Sequence, residues 1–213
     1  MLSAGFAASP FLAIMEADRP PVPTDENSRD ILLMERIGAG DHRAFRELVE
    51  RHQHAVVGTV AKMLGNPSEA EDISQQVFLR IWRHAKRYRP DAKFTTYLFT
   101  ITRNLVFNES RRKKRRKETS SDEREENSHM GTPDDPSRQP DAQMLQEELR
   151  AAVDKAIASL PEQQRMAVVL RRYEQMPYED IAGVLDLSVS AVKSLLFRAR
   201  TTLREALSGY LGS

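Results

Sequence analysis

In the last fifty residues, groups suited to reading nucleic acid recur on one side of a helical repeat. Ser190, Lys193, Ser194, Phe197, Arg198 and Thr201 share that side, with Arg200 and Arg204 beside them. Val192, Leu196, Ala199 and Leu203 recur at intervals of three and four and form the apolar stripe opposite. The chemistry on offer is recognition, with no bond made or broken. Lysine donates to guanine acceptors, serine bonds either way, and a phenyl ring meets a thymine methyl. Arginines further along a helix laid in a major groove suit phosphates. A plain three-helix bundle with a solvated basic face fits the same spacing. The helix-turn-helix is the reading adopted, because a first helix (Met166, Val169, Leu170, Tyr173) and a short second one (Ile181, Val184, Leu185) precede Ser188, a good N-cap.

A second constellation lies upstream. Tyr88, Phe94 and Tyr97 stand near Lys93, Arg103, Arg111 and Arg112. Aromatic or shaped base pockets beside a positive groove hold single-stranded nucleic acid. Phe94 and Tyr97 also fall on the Leu98/Ile101 stripe, and core packing is the better account of Phe94. Asn104 and Asn108, four apart with Arg111 next along, either line a nucleic-acid side or bond locally. The run RRKKRRK at 111–117 is a solvated charge run or a contact for phosphates. The second reading is preferred, and it implies binding that falls steeply with salt.

A third set, Asp72, Gln75, Gln76 and Leu79, lies off the Ile73/Val77/Ile81 stripe. A polar face carrying one apolar residue suits docking on another protein, and equally an ordinary solvated helix. Glu69, Glu71 and Asp72 sit in a first helical turn, where carboxylates favour the positive end of the dipole. Capping explains them better than metal binding or acid–base work. His52 and His54 are two apart, so they do not share a helix face. No metal site, cofactor or catalytic constellation is expected, and the chain reads as a non-enzyme.

Composition narrows the class. The chain has 213 residues, 30% of them charged, with a net charge of +1, so it is no global polycation. Its charge is segregated locally: the basic run is followed at once by ETSSDEREEN. With no cysteine, a disulfide framework and a thiolate metal site are both excluded. No apolar run reaches the roughly 20 residues of a membrane span, so membrane insertion is not expected. FLAIM is too short for a signal core, and a cytoplasmic location is the expectation.

These groups need helices to position them. Residues 1–27 show little periodicity and read as a mobile extension. Helical patterns follow over 31–37, from Asp41 to Leu64, from Ser68 (with Glu71 as a capping box) to Ala85, and from Phe94 into the basic run. The stretch 118–141 is rich in Ser, Pro, Asp and Glu without an apolar period, which marks a flexible linker. A helix restarts near Ala142, with Leu145, Leu149, Val153 and Ile157 as its stripe. No strand pattern appears. The expectation is all-α: a domain at 28–117, the linker, and a helix-turn-helix domain at 142–213.

Two long motifs then stand in order. SEAEDISQQVFLRIWRHAKRYRPDAKFTTYLFTITRNLVFNESRRKKRR resembles region 2 of bacterial sigma factors. LPEQQRMAVVLRRYEQMPYEDIAGVLDLSVSAVKSLLFRARTTLRE resembles region 4. With only a linker between them, the architecture resembles the extracytoplasmic-function (ECF) type. Tyr97 departs from the tryptophan common there, and Leu195 from a frequent arginine. The resemblance implies that Asp72, Gln75, Gln76 and Leu79 bind the clamp coiled coil of the RNA polymerase large subunit. It assigns the minus-10 element to Tyr88, Asp91, Lys93, Thr95, Arg103, Asn104, Asn108, Arg111 and Arg112, with a base of the non-template strand flipped into the loop. It assigns the minus-35 element to Ser190, Lys193, Ser194, Phe197, Arg198 and Arg200. Promoter DNA, core polymerase and an anti-sigma factor are the implied partners. The rivals are a helix-turn-helix regulator with an N-terminal helical sensor domain, acting without polymerase, and a DNA-acting enzyme such as a recombinase.

The linker reading predicts that limited proteolysis cuts first within 118–141 and leaves two folded helical fragments, read by gel and circular dichroism. Cleavage elsewhere, with this stretch intact, contradicts it.

Overall fold

Most helical stability in a protein comes from packing of an amphipathic face, so the apolar stripes of these helices must be buried against neighbours. The computed structural model describes residues 26–119 and 142–210. Eight α-helices form there, and no strand is found among the described residues. The expected all-α class is what the chain adopts.

The first half has four helices. α1 (Glu26–Gly38) buries Leu33, Met34 and Ile37. α2 (His42–Leu64) buries Leu48, Val56, Val60 and Met63. Asp41 caps α2, its carboxylate accepting from the backbone N–H groups of Arg43 and Ala44. Those bonds, chiefly the one from Ala44, with help from Arg36, hold the carboxyl below the ordinary range. α2 ends at Gly65, whose φ of 68° is a left-handed conformation that glycine adopts freely. α3 (Pro67–His84) buries Ile73, Val77, Phe78 and Ile81. A 3-10 turn, Ala85–Arg87, leads to the loop before α4 (Phe94–Thr119).

The second half has α5 (Ala142–Ser159), α6 (Glu162–Arg172), α7 (Tyr178–Leu185) and α8 (Val189–Ala206), then a 3-10 turn, Ser208–Tyr210. α6, α7 and α8 form the helix-turn-helix. Asp186 ends α7 at φ 57°, a conformation that Asp tolerates better than most residues. Ser188 caps α8 by accepting from the Ala191 N–H, as expected.

Three boundaries differ from the sequence reading. α1 starts at Glu26, so Glu26 and Asn27 belong to a helix and not to the extension. Asn27 gains a tertiary partner there, its side chain accepting from the Phe94 N–H at 2.8 Å. The cap of α3 is Asn66, which accepts from the N–H groups of Ser68 and Glu69; Pro67 fills the first helical position, so Ser68 is not the capping residue. Glu118 and Thr119 continue α4. The rest of the linker, and residues 1–25, lie outside the described residues.

The two halves pack on each other, which the linker reading did not anticipate. α7 lies against the start of α4, and α6 and α5 lie against α2. Their buried side chains form one continuous cluster.

One buried polar group ties α1 to α2. Asp30 is 2% exposed; it takes Arg51 Nε at 2.9 Å on one oxygen and lies 2.9 Å from His52 Nε2 on the other. His52 in turn leans on the Phe94 ring, 5.1 Å away. Asp30→Ala leaves Arg51 and His52 without their carboxylate. It should cost about 3 kcal/mol in urea unfolding. A loss under about 0.5 kcal/mol would show the network to be idle.

Candidate nucleic-acid interface

α8 splits as its spacing requires. Val192, Leu195, Leu196, Ala199 and Leu203 are buried. Ser190, Lys193, Ser194, Phe197 and Arg198 are exposed, and Arg200 is half-buried beside them. Phe197 is 67% exposed, an unusual position for a phenyl ring with nothing to cover it. Lys193, Ser194, Phe197, Arg198 and Arg200 line one groove with Tyr178 of α7. Tyr178 holds cations on its ring: Arg171 at 4.9 Å and Lys193 at 5.9 Å. Ser194 Oγ donates to the Ser190 carbonyl, and Arg198 Nε to that of Ser194, so both keep their remaining hydrogen-bonding capacity outward. Leu195, where the resemblance leads one to expect an arginine, is buried and faces the core of this helix-turn-helix.

The upstream set is brought together at the start of α4 and along it. Phe94 is fully buried, which settles it as a core residue. Tyr88 and Tyr97 are half-buried with ring centroids 5.0 Å apart, and both stack around Phe94 at 6.3 Å. Burial raises both phenol pKa values, so both rings stay neutral near pH 7. The Tyr88 hydroxyl is buried without a hydrogen-bond partner. Asp91 and Lys93 are exposed on the loop, and Thr95 is half-buried. Asn104, Asn108, Arg111 and Arg112 are exposed further along, and Arg103 is half-buried. At 1.5 Å per residue the set extends over roughly 27 Å of helix.

The basic run is helical, and several of its charges are locally engaged. Arg103 donates to Asn104, Arg111 to Asn108 and the Phe107 carbonyl, and Arg112 to Glu109. Lys113 pairs with Glu69 of α3. The local reading of Asn104 and Asn108 therefore holds for the free chain. Each ion pair among them is solvent-exposed on at least one side and so contributes little to stability.

On α3, Asp72, Gln75, Gln76 and Leu79 are all exposed, while Ile73, Val77 and Ile81 are buried. Leu79 is 49% exposed, one turn beyond Gln75 and Gln76. Glu69 lies in the first turn of α3, where its partner is a lysine.

Some contacting residues carried no signal in the sequence. Thr59, Lys62, Asp154, Glu174 and Asp180 join the two halves, and each pairs with a residue 87 to 115 positions away. No periodicity reports such partners. The positive φ of Gln175, 53°, is likewise invisible in the residue type.

Comparison with known proteins follows the same division. Residues 48–116 match the family described as Sigma-70 region 2, and residues 150–203 match Sigma-70, region 4. The chain is 35% identical over 188 residues to the RNA polymerase sigma-H factor of Pseudomonas aeruginosa, covering 86% of this chain and 96% of that one. It is 36% identical over 182 residues to the ECF RNA polymerase sigma-E factor of Escherichia coli K12, covering 84% and 94%. A solved structure of CnrH in complex with the cytosolic domain of CnrY is similar at TM-score 0.64 and 25% identity, over 85% of this chain and 98% of that one. The sigma factor RpoE of Bartonella quintana, solved with the anti-sigma factor NepR, shares the fold at TM-score 0.60 and 23% identity, over 77% of this chain and 96% of that one.

The division of α8 gives a direct expectation. Leu196→Asp places a charge in the core and should unfold the helix-turn-helix. Phe197→Ala, one residue on, should change stability by less than about 0.5 kcal/mol. Thermal unfolding followed by circular dichroism separates the two; equal losses would mean that α8 is turned differently.

Proposed function

The chain belongs to the RNA polymerase sigma factors of the extracytoplasmic-function type, and from that premise we propose how its surfaces divide the work of initiation. It binds core polymerase, recognises the minus-10 and minus-35 promoter elements, and helps open the DNA. The polymerase supplies the chemistry, and the chain itself is not a catalyst.

The observation that carries the assignment of surfaces is the pairing of buried stripe and exposed face on three separate helices. On α3, Asp72, Gln75, Gln76 and Leu79 form the polymerase-docking face. An exposed leucine next to a polar stripe fits a coiled coil, which offers apolar and charged positions side by side. At the start of α4, Tyr88, Asp91, Lys93 and Thr95 receive the flipped minus-10 base. Arg103, Asn104, Asn108, Arg111 and Arg112 follow the strand. Extracting a base costs a few kcal/mol, which pocket contacts and polymerase must offset. On α8, Ser190, Lys193, Ser194 and Phe197 read the minus-35 element, and Arg198 and Arg200 hold phosphates.

The domains are taken as 28–117 and 142–213, joined by a linker that lets the two readers separate on polymerase. An anti-sigma protein is the third partner; the capture of the relative RpoE with an anti-sigma factor supports this. No described helix is long and apolar enough to cross a membrane, and a cytoplasmic site of action fits a partner of polymerase. A regulator acting without polymerase has no use for the α3 face, which is why that reading ranks second.

Docking is tested by capture of core polymerase. Asp72→Arg and Gln75→Glu should each weaken capture while leaving helicity unchanged. Asp72→Arg also costs about 0.3–1 kcal/mol of stability near the helix N-terminus. Unchanged capture by both variants sinks the assignment.

Base reading is tested on templates randomised in the minus-35 element. Lys193→Ala should lose about 1–3 kcal/mol of preference at one base pair. Arg200→Ala should weaken binding to all sequences and lower the salt slope by about one unit. If Lys193→Ala only lowers overall affinity, it does not read a base.

A further inference from the structure

One face of α1 holds Phe94 twice. Asn27 and Asp30, three apart, share that face. The Asn27 side chain accepts from the Phe94 N–H at 2.8 Å. Phe94 is the first residue of α4, and Lys93, whose carbonyl takes the first helical bond, has no side-chain acceptor to offer. A free donor of that first turn is therefore met from a helix 67 residues upstream. Asp30 holds the ring at one remove. Its Oδ2 lies 2.9 Å from His52 Nε2, and the His52 ring lies 5.1 Å from that of Phe94. Tyr88 and Tyr97 pack on the same phenyl ring at 6.3 Å each. Residues 89–93 lie outside any helix and are exposed. On the α1 side, Tyr88, Arg89 and Pro90 border a cavity with Met34 and Glu35. The loop is fixed at its ends more than by burial.

We propose that Asn27 and Asp30 are positioning residues for minus-10 recognition: from α1 they hold Phe94 by its amide and, through His52, by its ring, and so fix the loop that receives the flipped base. The proposal rests on the assignment of that loop to the minus-10 element. Both residues lie outside the stretch 48–116 that matches region 2, so the reader draws on a helix beyond it. A base drawn out of the stack must find its pocket contacts in place, and a loop that wanders holds them in only a fraction of its conformations. Pre-organisation removes that cost. One hold would let the loop pivot; two on a single residue do not. The amide bond fixes where α4 begins, and the ring contact fixes how Phe94 is turned. With both in place, Tyr88 and Tyr97 rest on a fixed ring, and Lys93 and Thr95 flank a fixed residue. Water competes weakly for either hold, because the Asn27 bond is partly buried and Asp30 is 2% exposed.

The test uses the full chain assembled with core polymerase, on templates randomised in the minus-10 element, with transcripts sequenced. Asn27→Ala removes the acceptor and should relax selection at the flipped base about tenfold, within the range that one failed base contact costs. Asn27→Asp keeps an acceptor at the same reach and should restore selection. His52→Leu, which leaves Asp30 paired with Arg51, cuts the second hold and should relax the same position. Should either variant lose helicity, Asn27→Gln, which displaces the acceptor by one methylene, or His52→Gln, which removes the ring, takes its place. Helicity, capture of core polymerase and selection on templates randomised in the minus-35 element should match the parent chain, which a general loss of stability would not allow. The proposal is overturned if either the Asn27 or the His52 variant selects minus-10 bases as the parent does, or if Asn27→Asp fails to restore selection. A double variant of the loop, Asp91→Ala with Lys93→Ala, separates that failure from failure of the reading beneath it. If the double variant alters minus-10 selection while the α1-side variants do not, the loop reads the element and only the two holds are removed. If it too selects as the parent does, the minus-10 assignment falls with them.

Discussion

The faces proposed for polymerase and for the minus-35 element are each fixed by the burial of an apolar stripe on the same helix. Burying a leucine, valine or isoleucine side chain stabilises by about 1.5–3 kcal/mol. Four such residues along α8, with Ala199 beside them, set its rotation about its own axis against α6 and α7. With that rotation set, Lys193, Ser194 and Phe197 have no choice but to face outward. The same holds on α3, where Ile73, Val77 and Ile81 turn Asp72, Gln75, Gln76 and Leu79 to solvent. A reader that must place a side chain within hydrogen-bond distance of a base edge needs this rigidity. Recognition depends on the core in a direct mechanical sense.

The interface between the halves is built differently. Beside the apolar side chains that both halves give to one core cluster, it carries pairs such as Lys93–Asp180 and Lys62–Asp154, in which at least one partner is well exposed. Exposed pairs contribute little each, typically under about 1 kcal/mol.

The sequence makes the helices and their faces legible because both follow from a 3.6-residue period. Val192, Leu196, Ala199 and Leu203 could be placed inside, and Lys193 and Phe197 outside, before any coordinates. Phe94 was legible as a core residue for the same reason. Asn66 was missed as a cap because the Ser68/Glu71 spacing imitates a capping box two residues later, while Asn-Pro places the cap first. Asn27 was assigned to the extension because its partner, the Phe94 N–H, lies 67 residues away. The contacts of α7 with α4 were not legible at all: they depend on how two finished surfaces fit, which no local pattern encodes. The roles given to single residues toward polymerase and promoter came from resemblance, with geometry adding only that they are exposed, or half-buried beside exposed neighbours, and so within reach.

The central claim is that this chain confers promoter-specific initiation on a polymerase that lacks it. Run-off transcription with core enzyme, with and without the protein, tests it most directly, with the chain's own upstream region and genomic fragments as templates. The account predicts transcripts from discrete start sites only when core and protein are both present, and none from either alone. Unchanged transcription on addition of the protein, together with protection of a palindromic site by the protein alone, would contradict it and return the chain to the class of polymerase-independent regulators.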